Sequence, residues 1–391
     1  MSDSEPREIQ PPGFPVRYDC RHYTGYRPCG ISPVCDGCEH CDPVGRRILI
    51  IKLGAMGDVV RTTPVLTSIR REWPNAHVTW ITEACCRDLL KSNPLIDRLL
   101  TWGFEAITLL EAMRFDLILN FEKDPAALAL GERVEAAERR GFRLTSSGSV
   151  GIADERAGYA LQLGIDDNLK FHVNTKPVQQ VVCEMVGLEW SGDLYLFEAA
   201  PAAVARCTAF ESAHPALQGR ALIGVSTGCG PGFPTKRWTV ENVVGLLRGL
   251  LSHPRTEALL LGGEREREFN REILGRVGDR VIDGGCDNSF DEFVGLLMAC
   301  DAVVSTDSMP MHLAVAVGKP VVALFGPTTA REVELGPRSE KVITDLDCSP
   351  CYLTSCPKTD HGGALCMERM GPEPVLDALG RLLSRADGAE P

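Results

Sequence analysis

A chain of 391 residues is long enough for two domains, each with a core of its own. With 44% hydrophobic and 24% charged residues it has the balance of a soluble globular protein, and no apolar run nears the roughly 18 residues that a membrane helix needs. A formal net charge of −12 excludes broad binding to nucleic acid or anionic membrane, and the acidic, Pro-rich start MSDSEPREIQPPGFP lacks the features of a signal peptide, so a cytoplasmic protein is expected.

Sixteen cysteines in such a chain point to metal ligands or buried thiols rather than disulfides. Residues 1–45 read as a separate appendage. YDCRHYTGYRPCGISPVCDGCEHCDPVG carries Cys20, Cys29, Cys35, Cys38 and Cys41 but almost no aliphatic side chain, and a segment that cannot bury apolar surface needs a staple. The Cys35-x2-Cys38-x2-Cys41 run is short enough for several thiolates to meet one ion, with Cys20 or Cys29 completing a tetrahedral set. Zinc is the first expectation; an iron–sulfur cluster or reduced or redox-paired thiols are the alternatives.

Arg46–Lys52, RRILIIK, suits a buried parallel strand. It runs into LGAMGDVVRTTPVLTSIRREW, where Gly54 and Gly57 make a turn and Val59, Leu66 and Ile69 give a helix its inner face. GAMGD is not the GxGxxG of dinucleotide binding, and Asp58 places a carboxylate near the helix start, where it would repel a phosphate. Asp58 is therefore either a helix cap or a proton acceptor. Strand Val78–Thr82, helix Cys85–Lys91, a strand near Leu99–Thr101, helix Glu105–Met113 and strand Leu117–Asn120 predict a parallel sheet with helices on both faces. Beyond Phe121 the signal weakens: EKDPAALALGERV reads as a helix and RLTSSGSVGIADERAGYALQLG as a loop region on the acceptor side.

A second α/β half opens with strand Ala221–Ser226 and the loop TGCGPGFPTKRWT. Its glycines and prolines leave backbone N–H groups free and bring Lys236 and Arg237 up to a helix starting near Thr239, a sound way to hold a diphosphate. Helix Val243–Leu251, strand Ala258–Leu261 and a helix within GGEREREFNREIL follow; Glu264, near that helix start, either bonds a nucleotide or complements the dipole. Strand Arg280–Ile282 and helix Phe290–Cys300 lead to Asp301–Thr328, which reads as one unit: strand Val303–Ser305, helix Pro310–Val317, strand Pro320–Phe325. Asp307 and Ser308 are candidate caps. A parallel pair needs a crossover, so Thr306–Met309 and Gly326–Thr328 fall at the carboxyl ends of strands, where open α/β sheets bind ligands and a helix N-terminus favours an anion. The tail holds Cys348-x2-Cys351-x4-Cys356-x9-Cys366, four thiols between turn-forming Pro and Gly; four thiolates make a coordinatively closed, structural metal site. A last amphipathic helix, Pro374–Leu383, is expected to pack back across both domains.

TDSMPMHLAVAVGKPVVALFGPT resembles the nucleotide-sugar signature of the heptosyltransferase family of glycosyltransferases, whose usual form is close to DSGPMHLAAALGKPVVALFGPT, with Gly where this chain has Met309. IIKLGAMGDVVRTTPVLTSIRREWPNAHVTWI resembles the family's first strand and helix, and the likeness spans about 46–370. It implies the α/β arrangement called GT-B, two facing Rossmann-like domains. The divisions are a Cys-rich appendage (1–45), an acceptor domain (46–205), a nucleotide-sugar donor domain (206–345), and a four-cysteine finger with the final helix (346–391).

The same likeness implies an inverting transfer of a sugar, heptose from ADP-heptose first of all, onto a hydroxyl of a lipopolysaccharide core, another or lipid-linked glycan, or a protein. Asp58 would be the general base. Ser226, Thr227, Lys236, Glu264, Asp307, Ser308, Met309 and His312 would form the donor site, with no catalytic metal. In autotransporter heptosyltransferases a comparable cysteine finger is associated with iron, so zinc and iron both stay open there. Two other classes remain: a redox or electron-transfer protein carrying an iron–sulfur cluster on this scaffold, and a sugar-nucleotide-binding or assembly protein with an inactive cleft. A homo-oligomer is compatible with the sequence, which does not give the number of subunits.

Overall fold

The computed structural model describes residues 9–27, 29–359 and 363–387. Two six-stranded sheets carry the fold. The first contains β1 (Arg47–Ile51), β2 (His77–Thr82), β3 (Arg98–Thr101), β4 (Arg114–Asn120), β5 (Glu135–Leu144) and β6 (Val150–Ile152), in the order β3-β2-β1-β4-β5-β6. The second contains β7 (Ala221–Ser226), β8 (Thr256–Leu261), β9 (Ile282–Asp283), β10 (Ala302–Thr306), β11 (Val321–Phe325) and β12 (Ser339–Ile343), in the order β12-β11-β10-β7-β8-β9. Counted within its own half, each sheet follows the same doubly wound order, and all pairings are parallel except β5 with β6. The inner strands are mostly apolar and almost entirely buried, RILII in β1, AVVST in β10 and VVALF in β11, because helices cover both faces of each sheet.

The order reverses between β1 and β4 in one half and between β7 and β10 in the other. Loops leaving β1, β7 and β10 thus open at a switch point, where doubly wound sheets take ligands. Asp58, Lys236 and Asp307 lie in the segments that leave these three strands.

Three expectations change. The stretch read as loop after Arg143 instead closes an antiparallel β5–β6 hairpin and adds a short helix, Gly158–Gln162. The boundary at 205 cuts a helix: Pro201–Ala213 packs against Phe290–Ala299 of the second half. A Cβ on Gly295 would sit 2.6 Å from the carbonyl oxygen of Ala203 and 2.7 Å from Arg206 Cβ, so the two helix axes close up only because Gly295 has no side chain. The final helix, Glu373–Asp387, packs onto β10, β11, β12 and helix Val240–Ser252, placing Val375, Ala378, Leu379 and Leu382 in the second half's own core rather than across both halves. Among the described residues no helix is long and apolar enough to cross a membrane.

Candidate active site

β1 runs out into Lys52, a buried lysine whose Nζ lies 2.7 Å from Glu122 Oε1. The same oxygen accepts the backbone N–H groups of Leu53 at 2.7 Å and Gly54 at 3.2 Å. Glu122 follows β4, the neighbour of β1 at the switch point, so one carboxylate from the next strand pins the turn that launches helix Met56–Thr62.

Asp58 is the third residue of that helix, and its side chain is 46% exposed, open to an incoming hydroxyl. It does not cap the helix; its carboxylate is bonded to Arg61, one turn further on. Burial pushes the Asp58 carboxyl upward, but Arg61 and Lys52 outweigh it and hold the group below its ordinary 3.8. Gly57 marks where the halves meet: a Cβ there would stand 3.2 Å from His312 Cδ2.

On the opposite side β10 delivers Asp307 and Ser308 to helix Met309–Ala316. Ser308 turns its hydroxyl back to the carbonyl of Thr306 (3.2 Å) and toward Ser305 Oγ (3.3 Å), leaving the helix without a side-chain cap, as an anion-receiving N-terminus requires. Asp307 Oδ2 lies 3.5 Å from Lys236 Nζ. Burial raises the Asp307 carboxyl, yet Lys236, His312 and Arg61 together bring it below 3.8. His312 is buried, with Nδ1 3.1 Å from the Tyr195 hydroxyl and Nε2 3.9 Å from Asp307 Oδ1. Burial first, then the charge of Arg61, lowers His312 to about 3, so the imidazole is neutral at physiological pH.

The remaining expected donor residues divide. Ser226 ends β7 with its hydroxyl buried and without a hydrogen-bond partner, available to a ligand oxygen. Thr227 is otherwise engaged: its hydroxyl reaches Asn270 Oδ1 at 2.6 Å and the carbonyl of Leu261 at 3.2 Å. Glu264 is exposed at the start of a single 3₁₀ turn, while two residues on the buried Glu266 binds the Gly263 N–H at 3.1 Å and Arg237 at 3.3 Å. Met309 is half-buried at the first turn of its helix. Sequence reading missed Lys52, Arg61, Glu122, Tyr195 and Glu266. A lysine ending an apolar strand and an arginine three residues after Asp58 were the available signals.

The two cysteine groups line cavities of their own, the C-terminal one beside Thr235 of the donor loop. Cys20, Cys29, Cys35, Cys38 and Cys41 line one cavity of about 20 Å³, and Cys348, Cys351, Cys356 and Cys366 line another of about 20 Å³. Both donor sets are rich in cysteine sulfur, which suits zinc or iron. As they stand, no group of three or more described His, Cys, Asp or Glu side chains is gathered tightly enough to hold an ion.

Two facing doubly wound sheets, with a carboxylate on one and a cation, an orphaned hydroxyl and an open helix N-terminus on the other, define a GT-B sugar-nucleotide transferase scaffold. A family model for glycosyltransferase family 9 (heptosyltransferase) matches residues 180–360. Lipooligosaccharide heptosyltransferase 2 of Haemophilus influenzae is 24% identical over 367 residues, covering 86% of this chain and 99% of that one. The fold is similar to that of E. coli ADP-heptose lipopolysaccharide heptosyltransferase II, with a TM-score of 0.65 at 20% identity over 87% of this chain and 99% of that one. It is also similar to the iron-containing dodecameric glycosyltransferase TibC of enterotoxigenic E. coli, with a TM-score of 0.54 at 14% identity over 88% of this chain and 80% of that one. Residues 180–360 match the family 9 model and the curated relatives that the chain resembles are heptosyltransferases, so the chain is a glycosyltransferase. Those matches disfavour the redox and inactive-binder readings.

Proposed function

We propose that this enzyme transfers a heptose from ADP-heptose onto a hydroxyl of a lipopolysaccharide-core acceptor, with inversion at the anomeric carbon. The observation that carries this reading is Asp58, half-exposed and ionised on the first half, where Gly57 touches His312 of the second. Asp58 takes the proton of the acceptor hydroxyl as its oxygen attacks the anomeric carbon and the nucleotide diphosphate departs. Lys236, the Ser226 hydroxyl and the uncapped helix after Ser308 receive the charge that develops on the departing diphosphate. Asp307, already ionised and beside Lys236, is placed to accept hydrogen bonds from sugar hydroxyls rather than to meet phosphate. Glu122 and Lys52 act at one remove, fixing the turn before Asp58.

The C-terminal thiols are read as a structural site, for zinc or for iron as in TibC. Support comes from the four cysteines lining one cavity beside Thr235 of the donor loop. The donor is a charged nucleotide sugar, which we place in the cytoplasm. The test is direct: full-length protein is mixed with ADP-heptose and a heptose-free core oligosaccharide, and the product is weighed by mass spectrometry. Addition of one heptose is expected, and Asp58→Asn should retain donor binding while turnover falls by roughly 10²–10⁴-fold, the range for losing a general base. Transfer by Asp58→Asn at the wild-type rate would remove Asp58 from this role.

A further inference from the structure

The five N-terminal thiols lie outside the transferase cleft and nothing in that chemistry uses them. Before Arg46, Val16 is the only buried apolar side chain among the described residues, so apolar burial cannot account for an ordered fold there. The segment is nevertheless shaped around its cysteines. Cys38 N–H donates to the Cys35 carbonyl at 3.3 Å and Cys41 N–H to the Cys38 carbonyl at 3.3 Å, two successive turns that bring their thiols to one cavity with Cys20 and Cys29. Cys29 Sγ accepts the backbone N–H groups of Ile31 at 3.4 Å and Ser32 at 3.3 Å, which fixes the position of the sulfur. His22 and His40 complete the wall.

We propose that this module is a second, independent zinc site, with four of the five thiols Cys20, Cys29, Cys35, Cys38 and Cys41 as ligands. Five cysteines and two histidines on one cavity supply more than the four ligands that a tetrahedral zinc ion takes. Binding draws the thiolates in and releases their protons to solvent. The ion also holds the segment against the first half. Cys20 is followed by Arg21, which binds Asp42 at 2.9 Å, pairs with Asp97 before β3, and donates to the carbonyls of Asn75 at 3.3 Å and Ala76 at 3.1 Å. The bridge between Cys20 and Pro43 closes the module's two ends beside that arm.

The test uses the full chain, reduced, stripped with a chelator and titrated with zinc alone, with thiol labelling mapped peptide by peptide. The N-terminal cysteines should label at least tenfold more slowly with zinc than without it. Cobalt in place of zinc should give the intense sulfur-to-metal charge-transfer bands of a tetrathiolate site. Cys35→Ser with Cys38→Ser should abolish that N-terminal protection while leaving the peptides of Cys348 to Cys366 unchanged, which separates this site from the C-terminal one. Equal labelling of the unmodified N-terminal thiols with and without zinc would overturn the proposal, as would purified protein carrying iron with acid-labile sulfide on these cysteines. Neither result depends on the transferase assay.

Discussion

Arg61 decides the proton affinity of Asp58. Both side chains sit on one helix turn, and with Arg61 in place the carboxylate stays ionised below its ordinary 3.8 although burial opposes it. In Arg61→Met the nearest charge that opposes burial is lost and Lys52 remains, so the Asp58 carboxyl rises. On the proposed role of Asp58 as general base, which works only when deprotonated, the acid limb of the kcat/KM profile should move to higher pH in the variant, read from rates across the acid range. An unmoved limb would mean that Arg61 does not tune the base. His312 gives a second pH signature. Its native value of about 3 against an ordinary 6.5 means that the unfolded chain binds a proton between those values while the native one does not, so stability falls as pH drops through that window. His77, lowered to about 4 chiefly by burial, contributes in the same direction. His312→Asn should therefore show a shallower loss of Tm from neutral pH downward, leaving the share of His77; an unchanged slope would show that His312 takes up its proton in the native state.

At the scale of elements, the βαβ unit Asp301–Thr328 and the opening strand and helix were legible because their apolar runs are uninterrupted and their turns are marked by Gly and Pro. β5 was not, because EAAERRGFRL carries charges through its middle. Those charges are absorbed by tertiary partners: Arg140 binds Glu138 at 2.6 Å and the Val186 carbonyl at 2.9 Å. In the candidate site, Asp58, Asp307 and His312 are singled out through the likeness of their motifs to the heptosyltransferase pattern, whereas Glu122 becomes visible only when β4 is laid beside β1. The helix that spans position 205 was illegible for a related reason: Pro201–Ala213 has no strong apolar stripe, and it closes on a helix whose Gly295 lacks a side chain. Gly295→Ala drives a methyl into backbone at 2.6 Å, which no rotamer relieves, so it should cost about 1–3 kcal/mol. A lowered urea midpoint with an unchanged slope is expected. Wild-type stability in that variant would mean the two helices do not define the packing of this region.

At the scale of the whole molecule, the halves share a core as well as a cleft. One continuous apolar cluster runs from Ile48 and Ile50 of β1, through Met185, Leu188 and Tyr195 of the connecting segment, to Leu313, Val321 and Phe325 of the second half. Backbone bonds also cross, as from Val178 N–H to the Glu332 carbonyl at 2.9 Å, and Lys91 pairs with Asp291 at 2.8 Å. The side chain joining this core to the chemistry is Tyr195, whose hydroxyl meets His312 at 3.1 Å. Two domains joined only by a linker would unfold separately, each with its own opening free energy. Here exposing either half exposes the apolar surface of the other, so they should open as one cooperative unit. Native-state hydrogen exchange checks this: the slowest amides of β1 and β7 should exchange with the same free energy and the same denaturant dependence. A lower value for β1 alone would show that the first half opens while the second stays folded, and that the shared core does not couple them.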